Sequence, residues 1–183
     1  MKKLLQAFPI SKLIMLFFVL LFTGKLMAQP FLKAHPHINP YQYEVVKEKS
    51  FDNGAVTSAH SLASMVGAAM MQEGGNAFDA AIATQLSLAV VFPGAGNIGG
   101  GGFMLARKVN GELIGIDYRE AAPASASRDM YLDEQGNPID GKSTRGASAS
   151  GIPGSIAGMI STHAYAKLPF AKLIQPAIEF AEF

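Results

Sequence analysis

Apolar and polar positions recur along this chain with two different periods, and each change of period marks an element. Residues 54–58, Gly-Ala-Val-Thr-Ser, are short, partly β-branched and follow Asn53, which predicts a first strand. Ser61 then precedes Leu62, Met65, Val66, Ala69 and Met70, a helical spacing that ends at Gly74 and Gly75. Ser61 is the expected N-cap and the two glycines the expected stop. Asn76 opens a second helix, with Asp79 in its first turn, where a carboxylate complements the helix dipole. That helix runs through Ala80, Ala81, Ala83, Leu86, Leu88 and Ala89 to about Val91, and its lack of a polar face predicts burial.

Farther on the period shortens to two. Runs 103–109 and 112–119 flank Asn110-Gly111, a strong short-range hairpin signal. Alternation puts Ile114, Ile116 and Tyr118 on one face and Leu113, Gly115, Asp117 and Arg119 on the other, with Arg119 at the strand end beside a loop. Residues 121–150 are rich in Ala, Ser, Gly and Asp, with a turn over 133–138, and read as a long surface excursion. Residues 151–155 lead into a helix through Ile156, Met159, Ile160 and Tyr165. After Leu168-Pro169 a last helical pattern carries Ile178 and Phe180, with Pro176 expected as the first residue of a new helix. It reaches Phe183 without a cap or a glycine, so the natural chain is expected to continue.

The start of the chain has a different logic. Lys2 and Lys3 precede the apolar run 13–22, LIMLFFVLLF, and Leu26-Met27-Ala28 forms a cleavage boundary before Gln29. This is the layout of a secretory signal peptide over 1–28, and the run is too short for a membrane-spanning helix. The leader holds Lys2, Lys3, Lys12 and Lys25 and no acidic residue, so 15 basic against 14 acidic side chains become 11 against 14, a net charge of −3. A periplasmic or secreted location is expected, and nothing in the charge calls for a nucleic-acid partner. Residues 29–52 read as an irregular lead-in. Its His35-Pro36-His37 has no nearby carboxylate in sequence and reads as a solvated loop rather than a metal site. With 49% hydrophobic residues the chain can bury a core, and its lack of cysteine excludes disulfides, thiolate metal centres and a cysteine nucleophile.

Six of the 19 glycines fall within 93–102, PGAGNIGGGG. Gly94, Gly96 and Gly99 satisfy GxGxxG, residues 86–92 could form the preceding strand, and Asp117 lies near the distance of a ribose-binding acid. A dinucleotide loop must open a helix, however, whereas Gly99 to Gly102 start helices poorly and the following segment ends at Asn110-Gly111. No Gly-Lys-Ser/Thr closes this glycine run, so the run itself is not a triphosphate loop. The alternative is close backbone packing where no side chain fits.

Several motifs in fixed order carry a resemblance: Ala59-His60, then 73–81 (EGGNAFDAA), 93–104 (PGAGNIGGGGFM), 117–123 (DYREAAP) and 151–154 (GIPG). From about Asn53 onward the chain closely resembles the γ-glutamyltransferase (γ-glutamyltranspeptidase) family and looks like the N-terminal part of its large subunit, over 53–183. The resemblance implies an α+β fold, the αββα sandwich of N-terminal-nucleophile hydrolases, incomplete in this piece. It also implies maturation by self-cleavage and a threonine nucleophile at the start of a small subunit, activated by its own α-amino group. The substrates implied are γ-glutamyl amides such as glutathione, with water, amino acids or peptides as acceptors, and no cofactor. A related acylase of the cephalosporin or glutaryl type is the alternative within the fold.

None of Thr23, Thr57, Thr84, Thr144 and Thr162 matches that nucleophile. Ser161-Thr162-His163 is only faintly similar to the family's Thr-Thr-His start and lies in a helical pattern, so the 183-residue chain alone is expected to be inactive. No catalytic residue is therefore assigned. Arg119 does match: by resemblance it binds the α-carboxylate of the γ-glutamyl substrate, a role that suits the two-pronged guanidinium. Read from spacing alone, Arg119 could equally pair with Asp117 or Glu120. Glu120 is a second substrate-binding candidate, able to orient Arg119 or to accept from the substrate's α-amino group. Asn97 and the glycines are expected to shape the site rather than touch substrate.

Overall fold

The interior is organised by one apolar helix. In a computed structural model that describes residues 29–183 apart from 46 and 49, the order is α1 (Phe31–Ala34), α2 (Ser61–Gln72), α3 (Ala77–Val91), β1 (Phe103–Arg107), β2 (Leu113–Asp117), a 3-10 turn (Ala147–Ala149), α4 (Ser155–His163) and α5 (Phe170–Glu182). The leader proposed over 1–28 lies outside the described residues. Helix α3 packs against α2, α5 and α4, and α4 touches β2. Val66, Met70, Ile82, Met159 and Leu173 meet in the core with 2% exposure or less. No described helix is long and apolar enough to cross a membrane.

The boundary between α2 and α3 follows the sequence closely. Gly74 takes φ +94°, its N–H bonds the Met71 carbonyl (3.2 Å), and the Gly75 N–H reaches back to Met70 (2.9 Å). These two bonds make a Schellman stop that satisfies carbonyls a helix end otherwise leaves open. Two residues later Asn76 accepts from Phe78 and Asp79 N–H, while Asp79 accepts from Asn76 N–H (2.7 Å), a reciprocal capping box. At the other end of α2 the cap differs from expectation. His60, not Ser61, is the N-cap, and its Nδ1 accepts the Leu62 N–H at 3.3 Å. The rule prefers small oxygen side chains, but Tyr43 Oη contacts His60 Nε2 at 3.1 Å and holds the ring in place.

Residues 54–58 take no regular secondary structure and pair with no strand among the described residues. β-Propensity describes fit to a sheet, and without a neighbouring ladder it makes no strand. Pro176 opens no new helix: α5 runs through it, with Pro176 itself buried. An internal proline costs a helix about 3 kcal/mol. Continuity is maintained because Leu173, Ala177 and Phe180 on either side are buried in the core shared with α3.

The lead-in is less irregular than its sequence suggests. Phe31 and Ile38 are buried in the core, and the Glu179 carboxylate of α5 accepts Phe31 N–H and Leu32 N–H, both at 2.6 Å. His35 is engaged as well, with Nε2 3.0 Å from Glu73 Oε1, Nδ1 at the Phe31 carbonyl and its ring stacked on Phe31. Lys172 pairs with the other oxygen of Glu73. No group of three or more His, Asp and Glu among the described residues is arranged to hold a metal ion.

β1 and β2 form the expected hairpin, the only sheet among the described residues, with Phe103 opposite Asp117 and Arg107 opposite Leu113. The turn is not the two-residue kind. Gly111 N–H bonds the Lys108 carbonyl (2.9 Å), Gly111 takes φ +87°, and Lys108 N–H bonds Glu112 O (2.8 Å), which marks a bulged connection. A two-residue Asn110-Gly111 turn would have set Phe103 opposite Tyr118. The bulge shifts register by one residue and brings Phe103 to the face of Asp117 and Arg119. Next to it, a hydrogen bond from Lys108, with help from Asn110, holds the exposed Glu112 carboxyl below its ordinary range. Within 121–150 the Asn137 N–H does the same for Asp133, whose Oδ1 closes the expected turn.

Two buried polar groups give opposite predictions. Asp79 is fully buried and accepts N–H groups from Asn76, Lys167 and Leu168 (2.7–3.1 Å), tying the α4–α5 link to the start of α3. Asp79→Ala should destabilise by about 3 kcal/mol, because it leaves buried donors unmatched. Thr84 Oγ1, by contrast, is buried without a partner and lies against Gly67 of α2. Thr84→Val keeps the β-branched shape and should raise stability by about 1 kcal/mol. Urea denaturation of the two variants checks both signs.

Candidate functional site

Three segments converge where Arg119 leaves the hairpin. Gly102 and Tyr118 exchange backbone hydrogen bonds just beyond the named strands, at 3.0 and 3.3 Å. The Gly100 carbonyl accepts both Gly154 N–H (2.9 Å) and Ser155 N–H (3.0 Å) at the start of α4, and Ala121 and Ile152 form an isolated bridge. The glycine run, the end of β2 and the residues before α4 are thus laced together by main-chain bonds alone.

Close packing explains Gly96, Gly101, Gly154 and Gly158. A Cβ on Gly101 would stand 2.6 Å from the Tyr118 carbonyl, and one on Gly96 would stand 2.6 Å from Leu88 Cβ. A Cβ on Gly154 would fall on the Tyr118 carbonyl, and one on Gly158 on the Tyr118 ring. Real side chains do not tolerate such approaches, so close backbone packing is the role of these positions. The dinucleotide reading fails on connectivity: the run follows helix α3 and enters strand β1, whereas a dinucleotide loop follows a strand and opens a helix. Asn97 organises the run internally, its Oδ1 accepting Gly99 N–H at 2.9 Å.

Arg119 and Glu120 stand together on the surface of this junction. The Arg119 Nε lies 3.2 Å from Glu120 Oε2, with side chains 63% and 34% exposed. Asp117 plays another part: its Oδ1 accepts the Arg119 backbone N–H at 2.9 Å and fixes the turn out of the strand. The two residues predicted from the sequence are therefore adjacent in space and solvent-accessible, and of the two possible ion-pair partners the structure selects Glu120. An Nε contact occupies one side of the guanidinium fork and leaves its other N–H donors for a second carboxylate. Sequence reasoning missed Tyr118, whose ring is packed against Gly102 and Gly158, and Phe103, whose ring lies 5.9 Å from the Arg119 guanidinium carbon. A bulge-corrected hairpin register would have revealed Phe103.

The threonines do not form a site. Thr162 is buried within α4, its Oγ1 donating to the Gly158 carbonyl (2.8 Å), and Thr144 donates to Gly141 O in an exposed turn. Thr57 lines a cavity with residues of α3, and Thr23 is outside the described residues.

Comparison with known proteins identifies the family. The sequence pattern of the gamma-glutamyltranspeptidase family matches residues 63–183. The glutathione hydrolase proenzyme of Escherichia coli K12 is 50% identical over 129 residues, 70% of this chain and 22% of that protein. The chain thus spans about a fifth of the length of that relative. The crystal structure of Helicobacter pylori gamma-glutamyltranspeptidase superposes with a TM-score of 0.70 at 46% identity, over 73% of this chain and 39% of that one. The cephalosporin acylase of Bacillus halodurans is more distant, with a TM-score of 0.60 at 26% identity over 79% of this chain and 27% of that one. These likenesses place the α+β arrangement in the N-terminal-nucleophile hydrolase fold expected from the motifs. With the family pattern covering most of the described residues and half of the aligned positions shared with the E. coli protein, the chain belongs to the gamma-glutamyltranspeptidase family.

Proposed function

We propose that this chain is part of an exported enzyme that cleaves γ-glutamyl amides, glutathione among them. The observation that carries the proposal is the exposed Arg119–Glu120 pair on a junction of close-packed glycines, inside a chain of this family. Arg119 grips the α-carboxylate of the γ-glutamyl group and Glu120 accepts from its α-ammonium. The scissile amide lies at the other end of the glutamyl chain. A threonine hydroxyl oxygen of the small subunit attacks the γ-carbonyl carbon, its proton passing to the threonine's own α-amino group. The C–N bond breaks, the amine leaves with a proton, and a glutamyl ester remains for water, an amino acid or a peptide to take up. Backbone amides of the small subunit stabilise the oxyanion. The leader over 1–28 directs export to the periplasm or beyond, where the mildly acidic remainder works.

The acylase reading turns on one group. A glutaryl amide keeps the distal carboxylate and lacks only the α-amino group, so Arg119 serves either donor and Glu120 tells them apart. Identity of 46–50% to the γ-glutamyl relatives against 26% to the acylase favours the γ-glutamyl donor.

In the full-length gene product, Arg119→Ala should weaken donor binding by about 1.5–3 kcal/mol, raising KM for a γ-glutamyl anilide about 10- to 100-fold. Arg119→Lys keeps the charge but not the fork, and should recover only part of the loss. An unchanged KM in Arg119→Ala would remove the assigned role. The 183-residue chain alone should show no turnover, and glutaryl anilide should be a much poorer substrate than its γ-glutamyl counterpart.

A further inference from the structure

Phe103 stands on the hairpin face opposite buried Ile114. It is 64% exposed, and its neighbours on the same face, Leu105 and Leu113, are exposed as well, whereas Ile114 on the opposite face is buried. What distinguishes Phe103 from those leucines is its place in the ladder. It pairs with Asp117, the carboxylate that fixes the Arg119 backbone, and its ring centroid lies 5.9 Å from the Arg119 guanidinium carbon. That separation is within the range in which a cation is attracted to a ring face.

We infer that Phe103 is a positioning residue for the carboxylate grip: its ring carries the guanidinium of Arg119 from below while Glu120 holds the Nε edge. The inference rests on the proposed role of Arg119. Two restraints of different kinds act on one flexible side chain. The Glu120 contact at 3.2 Å sets the in-plane rotation, and the Phe103 ring limits the swing of the plane away from the strand. An arginine so held loses less rotamer freedom when a carboxylate arrives, and binding gains what is not lost. The hairpin bulge is essential to the arrangement, since without its one-residue shift Phe103 would oppose Tyr118 and stand away from Arg119.

A double-mutant cycle in the full-length gene product tests this. Phe103→Leu should raise KM for a γ-glutamyl anilide about two- to fivefold with kcat unchanged, and Phe103→Trp, the stronger cation platform, should match or improve on the native KM. In the Arg119→Ala background Phe103→Leu should add nothing, because its effect passes through the guanidinium. The inference is overturned if Phe103→Leu raises KM equally in both backgrounds, if KM does not move, or if kcat and melting temperature fall together in both Phe103 variants. If Arg119→Ala itself leaves KM unchanged, the carboxylate grip fails and takes the positioning role with it, an outcome distinct from the others. Phe103→Tyr preserves ring and volume, so a native KM in that variant is expected even where Phe103→Leu folds poorly, and a KM raised as in Phe103→Leu would refute the ring's role.

Discussion

One buried carboxylate sets the arrangement of the helices. Asp79 has no contact with water, yet each of its oxygens is met by main-chain N–H groups, from Asn76 on its own helix and from Lys167 and Leu168 on the link between α4 and α5. A charge in that position is tolerable only while all those donors are in place. Asn76 strengthens the junction, since its Nδ2 donates to the Tyr165 carbonyl while its Oδ1 caps α3. Local capping and long-range docking are therefore a single network. The start of α3 cannot form its cap without also fixing where α4 ends and α5 begins.

The site inherits its geometry from that network. Helix α4 is anchored at its C-terminal side through Tyr165 to Leu168 and at its N-terminal side through the Gly100 carbonyl, which accepts from Gly154 and Ser155. Between these anchors Gly158 lies under the Tyr118 ring. Tyr118 in turn is bonded to Gly102 through both its backbone groups, and Arg119 is the next residue. Gly102, Gly154 and Gly158 are glycines because each is a backbone approached by another backbone or by an aromatic face. Packing of that kind resists compression, so the position of the Arg119 Cα is set even though its side chain is exposed.

What could be read from the sequence was chemistry that acts within a few residues. The helix start at Asn76 with Asp79 in its first turn, the Gly74-Gly75 stop and the hairpin around Asn110-Gly111 all depend on neighbours in the chain, and all are present. The failures required distant partners. Residues 54–58 have strand composition but no ladder beside them among the described residues, and Pro176 stays inside α5 because the core on both sides of it outweighs a local penalty. Ser61 lost the cap to His60 because Tyr43, 17 residues away, supports the imidazole. For the site, the adjacency of Arg119 and Glu120 was evident, whereas the contact with Phe103 depended on a register shift of one residue. The seam between α2 and α3 was equally hidden, since the unpartnered Thr84 hydroxyl makes sense only opposite Gly67.

If Arg119 binds a substrate carboxylate as proposed, its resting pair with Glu120 decides how that carboxylate competes for the guanidinium. An ion pair with this exposure is worth about 0–1 kcal/mol, since water screens both groups. A bound carboxylate that shields the guanidinium from water gains more, about 1.5–3 kcal/mol for a charged hydrogen bond. Glu120 can therefore orient the guanidinium without outcompeting the ligand. Its own charge repels a bare carboxylate but favours a zwitterion whose ammonium lies beside that carboxylate. An arginine alone would accept any small carboxylate; under the proposed role of the pair, the neighbouring glutamate, at 3.2 Å, makes an α-amino acid end the better fit.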